Sequence, residues 1–477
     1  MAGFFNRTDE LTALEERWSS SGAEYMVIYG RRRIGKTELI LHFADPRRSI
    51  YFEATSGTEN DHLSDISALL AELSDRPLLR EQPLGSWAAV FAAVEEELER
   101  GPLVFALDEF QFVARQTPDI GSQINRFWRR QKDNPNLFLI LSGSDISFFE
   151  TEIVGYAATS YGRRTGSLRL RPFAPGQISH FLPSWLPEDL VRAYGVFGGV
   201  PYYLENVDPK DSLADNIWRT VLVPDGLLRE EPFFLFAQQS DLRSDSIYFS
   251  AMRAIAAGRT RRGEIAERVG RSSDQTGEIL TRLMDMGLVK RVHPATTLNP
   301  ERTRSARYVI DDPFLRFWFA WVHPFAGRLH SRDAARKHLD ETILPSLDEF
   351  VSAPPFEEIC QRWLAEQLGA AACGNWWGSV KERRGDDKRP TNVSREVDAV
   401  AIDAEGQVLA LGSCKWTSGE MKLAEKALLE RLTPHIVRGD EEPAYYYFSR
   451  SGFSAELEAA ASADPRCHLV AVDQLFT

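Results

Sequence analysis

Tyr25-Met26-Val27-Ile28-Tyr29-Gly30-Arg31-Arg32-Arg33-Ile34-Gly35-Lys36-Thr37-Glu38-Leu39-Ile40 is an apolar run, a loop reading G-x-x-x-x-G-K-T and the start of a helical pattern. That context makes the loop a phosphate-binding loop, because a strand must deliver it and a helix N-terminus must follow it. Gly30 and Gly35 let the backbone curl closely enough for its N–H groups to face phosphate oxygens, and the helix adds its positive end. Lys36 is placed to reach the β- and γ-phosphates, and Thr37 to ligate Mg²⁺. The nucleotide-binding set is therefore Gly30, Arg31, Arg32, Arg33, Ile34, Gly35, Lys36, Thr37 and Glu38; whether the three arginines face phosphate, protein or solvent stays open.

Outward from this loop, a second apolar run, Leu103-Val104-Phe105-Ala106-Leu107, ends in Asp108-Glu109. Such a run suits a strand buried on both faces, and its C-terminal end is where open α/β sheets bind ligands. Asp108 is expected to hold Mg²⁺ through water, and Glu109 to orient the attacking water. A third run, Leu137 to Leu141, leads to Ser142-Gly143-Ser144, either a polar group near the γ-phosphate or a plain turn. Arginines follow in Tyr161-Gly162-Arg163-Arg164-Thr165 and Leu168-Arg169-Leu170-Arg171-Pro172-Phe173, and Gly198-Gly199-Val200-Pro201 marks a rigid turn between helices.

The 477 residues exceed one hydrophobic core. Apolar content of 43% and charged content of 26% are those of an ordinary soluble protein, and a net charge of −13 argues against nonspecific coating of nucleic acid by the whole molecule. No apolar stretch approaches a membrane span, and the N-terminus lacks the pattern of a secretory signal. Cys360, Cys373, Cys414 and Cys467 show neither zinc-ligand spacing nor a disulfide framework. A cytoplasmic protein without membrane partners is expected.

In order and spacing, GRRRIGKT, FALDEF, YGRRT, LRLRPF and GGVPYYLEN resemble the archaeal-type ATPase family within the STAND branch of AAA+-related P-loop NTPases. The resemblance spans roughly 1–240. It implies a RecA/ASCE-type parallel sheet with a helical lid, ATP as the nucleotide, a lid motif at Gly199-Val200-Pro201 coupling nucleotide state to the next domain, and a family arginine at Arg163.

Beyond it, Ile247–Ile255, Gly263–Gly270 and a segment capped by Ser272-Ser273 read as three helices, with strands at Gly287–Val292 and Tyr308–Ile310. This looks like a winged helix-turn-helix. From Arg259 to Arg307 there are eleven Lys/Arg against six Asp/Glu, which suits duplex DNA, with Arg261, Arg262, Arg271 and Arg282 as the contacts. Asp274, Glu278 and Asp285 on the third helix oppose that reading, so a protein-docking role stands beside it.

The last third resembles the PD-(D/E)XK nuclease-like module: a helix with Glu358, a charged loop over Lys381–Arg395, a strand Glu396–Ile402 with Asp398, a turn, and a strand with Ser413 and Lys415. The resemblance implies that Glu358 and Asp398 bind Mg²⁺ and Lys415 assists water. Ser413 stands where an acid is expected, so a module that has lost cleavage is the preferred reading, with Glu420 as a substitute acid on the next helix. The expected organisation is an ATPase core at 1–180, a lid and linker at 181–243, a winged helix at 244–312, a helical bridge at 313–344 and a nuclease-like domain at 345–477. An unknown protein partner or self-association is also expected.

Overall fold

The computed structural model describes residues 6–155, 162–237, 245–300, 303, 305–382, 391–439 and 442–476. Tyr161 and most of the expected charged loop, 383–390, lie outside the described residues. The chain divides into two compact units, Met1–Pro172 with Asp285–Gly287, and Phe173–Met284 with Leu288–Thr477.

The first unit is built on five strands: β1 (Glu24–Tyr29), β2 (Ser49–Glu53), β3 (Leu103–Asp108), β4 (Leu137–Gly143) and β5 (Gly166–Arg169). They form one parallel sheet in the order β2-β3-β4-β1-β5. Alternate residues of the central strands feed two cores. Tyr25, Val27, Phe105, Leu107, Leu139 and Leu141 pack with Trp87, Phe91 and Phe127 on one face. Met26, Ile28, Val104, Ala106, Phe138 and Ile140 pack with Leu39, Ile40 and Phe43 on the other. Burial on both faces explains the unbroken apolar runs, since each side chain meets a helix whichever way it points.

One local expectation changes. Ser142 and Gly143 are the last residues of β4, wholly buried in the case of Ser142, because Gly143 O accepts from Gly30 N and so extends the ladder to the loop. The first helix, Thr8–Trp18, is preceded by Arg7 in the left-handed region, with no side-chain cap.

The second unit begins with helices Pro187–Phe197 and Pro201–Glu205, joined through Gly198 at φ 65°. Gly199 O accepts from Phe173 N at 2.7 Å. Helices Asp245–Ala256, Arg262–Val269 and Ser273–Asp285 follow, then an antiparallel pair, β6 (Val289–Val292) and β7 (Arg307–Ile310). Gly270 in the left-handed region ends the second of these helices, and Ser272 Oγ accepts from Gln275 N in the first turn of the third. The helix Pro313–Trp321 is capped by Asp312, whose carboxylate accepts from Phe314 N and Leu315 N.

The C-terminal part of this unit is a five-stranded mixed sheet: β8 (Ala372–Glu382), β9 (Thr391–Ile402), β10 (Val408–Lys415), β11 (Ala444–Ser449) and β12 (Cys467–Ala471). Their order is β12-β11-β10-β9-β8; β8, β9 and β10 run antiparallel, while β10, β11 and β12 run parallel. Strand structure reaches into the stretch expected as loop, to Glu382 on one side and from Thr391 on the other. Cross-strand partners hold the charges there: Arg395 donates to Glu382 at 2.9 Å.

Candidate nucleotide site

β1 delivers the loop and the helix Lys36–Ala44 receives it. Two glycines meet hard demands in between. Gly30 has φ 156°, and a Cβ there would lie 2.5 Å from Leu170 O. Gly35 has φ 84° directly before the helix. Arg7 braces the loop from behind, donating to Ile34 O and Arg171 O, each at 2.9 Å.

Lys36 is almost wholly buried, and its ammonium donates to Gly30 O at 3.1 Å and Arg31 O at 3.2 Å. Burial lowers its pKa, against the pull of Glu109 and Asp108. Thr37 Oγ1 donates to Asp108 Oδ2 at 2.8 Å, so the loop helix and the end of β3 meet through two of the residues singled out in the sequence. Asp108 is fully enclosed; its other oxygen accepts from Glu109 N at 2.9 Å, and Tyr51 OH donates to Oδ2 at 2.7 Å.

Glu109 leaves the strand in the left-handed region, φ 49° and ψ 39°. Its carboxylate accepts from Ser144 Oγ at 2.6 Å and from Gln111 Nε2. The polar group after β4 that touches this carboxylate is therefore Ser144, while Ser142 is enclosed within the strand. Lys36, Thr37, Asp108, Glu109 and Ser144 thus gather at the C-terminal edge of the sheet. Arg31 and Ile34 are buried, Arg32 and Arg33 partly exposed, and Glu38 exposed.

Arg163 does not join them. Thr165 N bonds Tyr25 O and Gly166 pairs with Met26, which places Arg163 at the N-terminal edge of the parallel sheet. Four residue steps along β1, about 13 Å at 3.3 Å per step, separate Met26 from Gly30. The family arginine is therefore at the opposite end of the sheet from this chain's own loop.

In the second unit, Asp398 Oδ2 accepts from Cys414 N at 2.7 Å and lies 4.0 Å from Lys415 Nζ. Ser413 Oγ donates to Glu425 Oε2 at 3.0 Å, and Lys415 Nζ is 3.5 Å from the same oxygen. Burial and the Asp398 charge push the neighbouring Glu357 carboxyl up to about 7. Glu358, expected beside Asp398, is instead taken by Arg316 at 3.1 Å and Lys290 at 3.2 Å. Glu420 lies outside any helix, exposed and 3.3 Å from Lys422. One residue of helical rotation decides the first correction, and twelve residues of chain beyond Ser413 decide the second: the acids at this cluster are Glu357 and Glu425. Among the described residues, no group of three or more His, Cys, Asp or Glu side chains is arranged to hold a metal ion. No helix among them is long and apolar enough to cross a membrane.

Parallel sheet, glycine-bounded loop and paired acids define a P-loop ATPase-type domain. Residues 4–207 match the family described as an ATPase domain predominantly from Archaea, and residues 318–427 match archaeal and bacterial proteins of unknown function. The chain is similar to an uncharacterized protein of Methanocaldococcus jannaschii, 27% identical over 420 residues and covering 87% of each chain. An uncharacterized ATP-binding protein of the same organism is 44% identical over 45 residues, 9% of this chain and 76% of its own. Among solved structures, a Walker-type ATPase of Pyrococcus abyssi aligns with TM-score 0.50 and 20% identity, over 66% of this chain and 96% of that one. The family match supports ATP binding by the first unit, and the structural likeness supports its fold.

Proposed function

We propose that the protein is a STAND-type ATP-dependent switch, in which ATP binding and hydrolysis at the first unit set the state of the second. The observation that carries this reading is the hydrogen bond between Thr37 and Asp108, with Lys36 and Glu109 beside it. Thr37 and Asp108 fit Mg²⁺: a hydroxyl that gives its proton to a buried carboxylate keeps its lone pairs for a cation. Bound there with ATP, Mg²⁺ would neutralise phosphate charge. Lys36 would exchange its two loop carbonyls for phosphate oxygens, and Glu109 would take a proton from the attacking water. Purified protein is expected to bind and turn over ATP, and Lys36→Ala to lose both; wild-type turnover in that variant defeats the assignment.

We further propose a winged helix in the three helices with β6 and β7, and a nuclease-like module that no longer cleaves in the C-terminal sheet. Ser413 in place of an acid, hydrogen-bonded to Glu425 while Lys415 pairs with Asp398 and Glu425, supports the latter. Mg²⁺- or Mn²⁺-dependent cleavage abolished by Asp398→Ala and Lys415→Ala would instead establish an ATP-regulated nuclease. Duplex DNA is the second reading for the winged helix, favoured by the exposed Arg261, Arg271 and Arg282. Arg262 is engaged within the domain, by Ser273 O and Asp274. Neutralising the three exposed arginines is expected to weaken duplex binding and flatten its salt dependence.

A further inference from the structure

Asp108 has a third donor that the phosphate-loop pattern does not require. Tyr51 stands on β2, one residue before Phe52, which is in register with Leu107 of β3. Its hydroxyl donates to Asp108 Oδ2 at 2.7 Å, the oxygen that also accepts from Thr37 Oγ1 at 2.8 Å. A carboxylate only accepts, so both hydroxyls must give it their protons. The consequences differ. Thr37 sits in the loop helix, and giving its proton to Asp108 leaves its oxygen lone pairs available to a cation. Tyr51 fixes the carboxylate from a different element, through a rigid ring on the edge strand β2. With Glu109 N on Oδ1, Asp108 is held by donors from three separate elements.

We propose that Tyr51 is a positioning residue: it holds the Asp108 carboxylate in the orientation from which Asp108 and Thr37 together take up Mg²⁺ with the nucleotide. The inference rests on the nucleotide reading of the site. Without the phenol, Oδ2 keeps a single donor, and the carboxylate can turn toward Thr37 or Lys36 rather than toward a water on the cation.

Binding of a fluorescent ATP analogue, titrated against free Mg²⁺ and repeated in EDTA, tests this. Tyr51→Phe removes one oxygen and keeps the ring. It is expected to raise the half-saturating Mg²⁺ concentration about tenfold or more, the low end for one charge-assisted hydrogen bond, and to leave the affinity in EDTA within about twofold. In an Asp108→Asn background the same change is expected to add nothing. 4-Aminophenylalanine at position 51, which restores a donor, is expected to restore the wild-type Mg²⁺ dependence. Melting curves without ligand check folding; should Tyr51→Phe fail to fold, Tyr51→Met fills the ring's place without a donor. An unchanged Mg²⁺ dependence, an equal loss with and without Mg²⁺, or an undiminished effect in the Asp108→Asn background overturns the inference alone. Absence of nucleotide binding by the wild-type protein overturns the nucleotide reading and this inference with it.

Discussion

Glu109 is a non-glycine residue in the left-handed region, a conformation that costs about 1 kcal/mol or more and persists only where neighbours hold it. Here the turn swings its carboxylate from the line of β3 to Ser144 and Gln111. Glu109→Gln is expected to keep ATP binding and to lower turnover at least about 100-fold, read by comparing binding with phosphate release. Gly143 guards the same place. A Cβ there would come 2.1 Å from Gln111 Oε1 and 2.5 Å from the Phe149 ring. Gly143→Ala must move Gln111 off Glu109 or the ring out of the core, and is expected to cost about 1–3 kcal/mol in a denaturant melt while lowering turnover. The Gly and Lys of the loop and the acids after β3 were readable because their chemistry is tied to local spacing. Tyr51 and Gln111 were not, because a tyrosine in an apolar strand and a glutamine after an acid carry no signal until β2, β3 and β4 lie side by side.

Among elements, the turn between Pro187–Phe197 and Pro201–Glu205 is the most tightly specified. Gly198 takes φ 65° with ψ −155°, open only to glycine, and a Cβ on Gly199 would fall 2.0 Å from Phe173 O. The close approach is backbone against backbone, so no side chain can yield. Gly199→Ala is expected to destabilise the second unit by about 2–3 kcal/mol and to break the bond from Phe173 N, measured as a lowered midpoint in urea. The turn itself was legible from Gly-Gly-Val-Pro. Its partner, 26 residues earlier in the chain, was not. The same division holds for β9: Asp398 and the strand around it were visible in the order of helix, strand, turn and strand, whereas Thr391–Arg395 looked like loop because its polar residues pair, and Arg395 meets Glu382, only across the ribbon.

At the scale of the whole second unit, Asp348 is a hub. It accepts from Arg192 Nε at 2.8 Å, Arg450 Nη1 at 2.6 Å and Trp416 Nε1 at 3.2 Å, drawing together a helix, the chain after β11 and the residue that follows Lys415. Glu188 adds a second acceptor for both arginines. Burial disfavours the Asp348 carboxylate, but these hydrogen bonds outweigh it and bring the carboxyl down to about 2. A carboxyl held below its unfolded value contributes stability that is present above about pH 4 and is lost as pH falls towards 2. The melting temperature of the wild-type protein is therefore expected to fall between pH 4 and pH 2 more steeply than that of Asp348→Asn, the difference between the two curves isolating this site.

The sequence by itself determined the elements of the proposed nucleotide site: a strand, a glycine-bounded loop, Lys36, Thr37 and two acids at the end of a second buried strand, all set by neighbours within a few residues. It also determined the three helices and two strands between Asp245 and Ile310 and the strands that carry Asp398 and Lys415, because hydrophobic period and turn formers act locally; the strands Ala372–Glu382, Ala444–Ser449 and Cys467–Ala471 were not legible in it. Tertiary structure alone decided which groups meet. It placed Arg163 at the far edge of the sheet, gave Glu358 to Arg316 and Lys290, brought Glu357 and Glu425 to Asp398 and Lys415, and set Tyr51 on Asp108. Those choices depend on strand order and helix rotation, where a shift of one residue turns a side chain away from one partner and toward another.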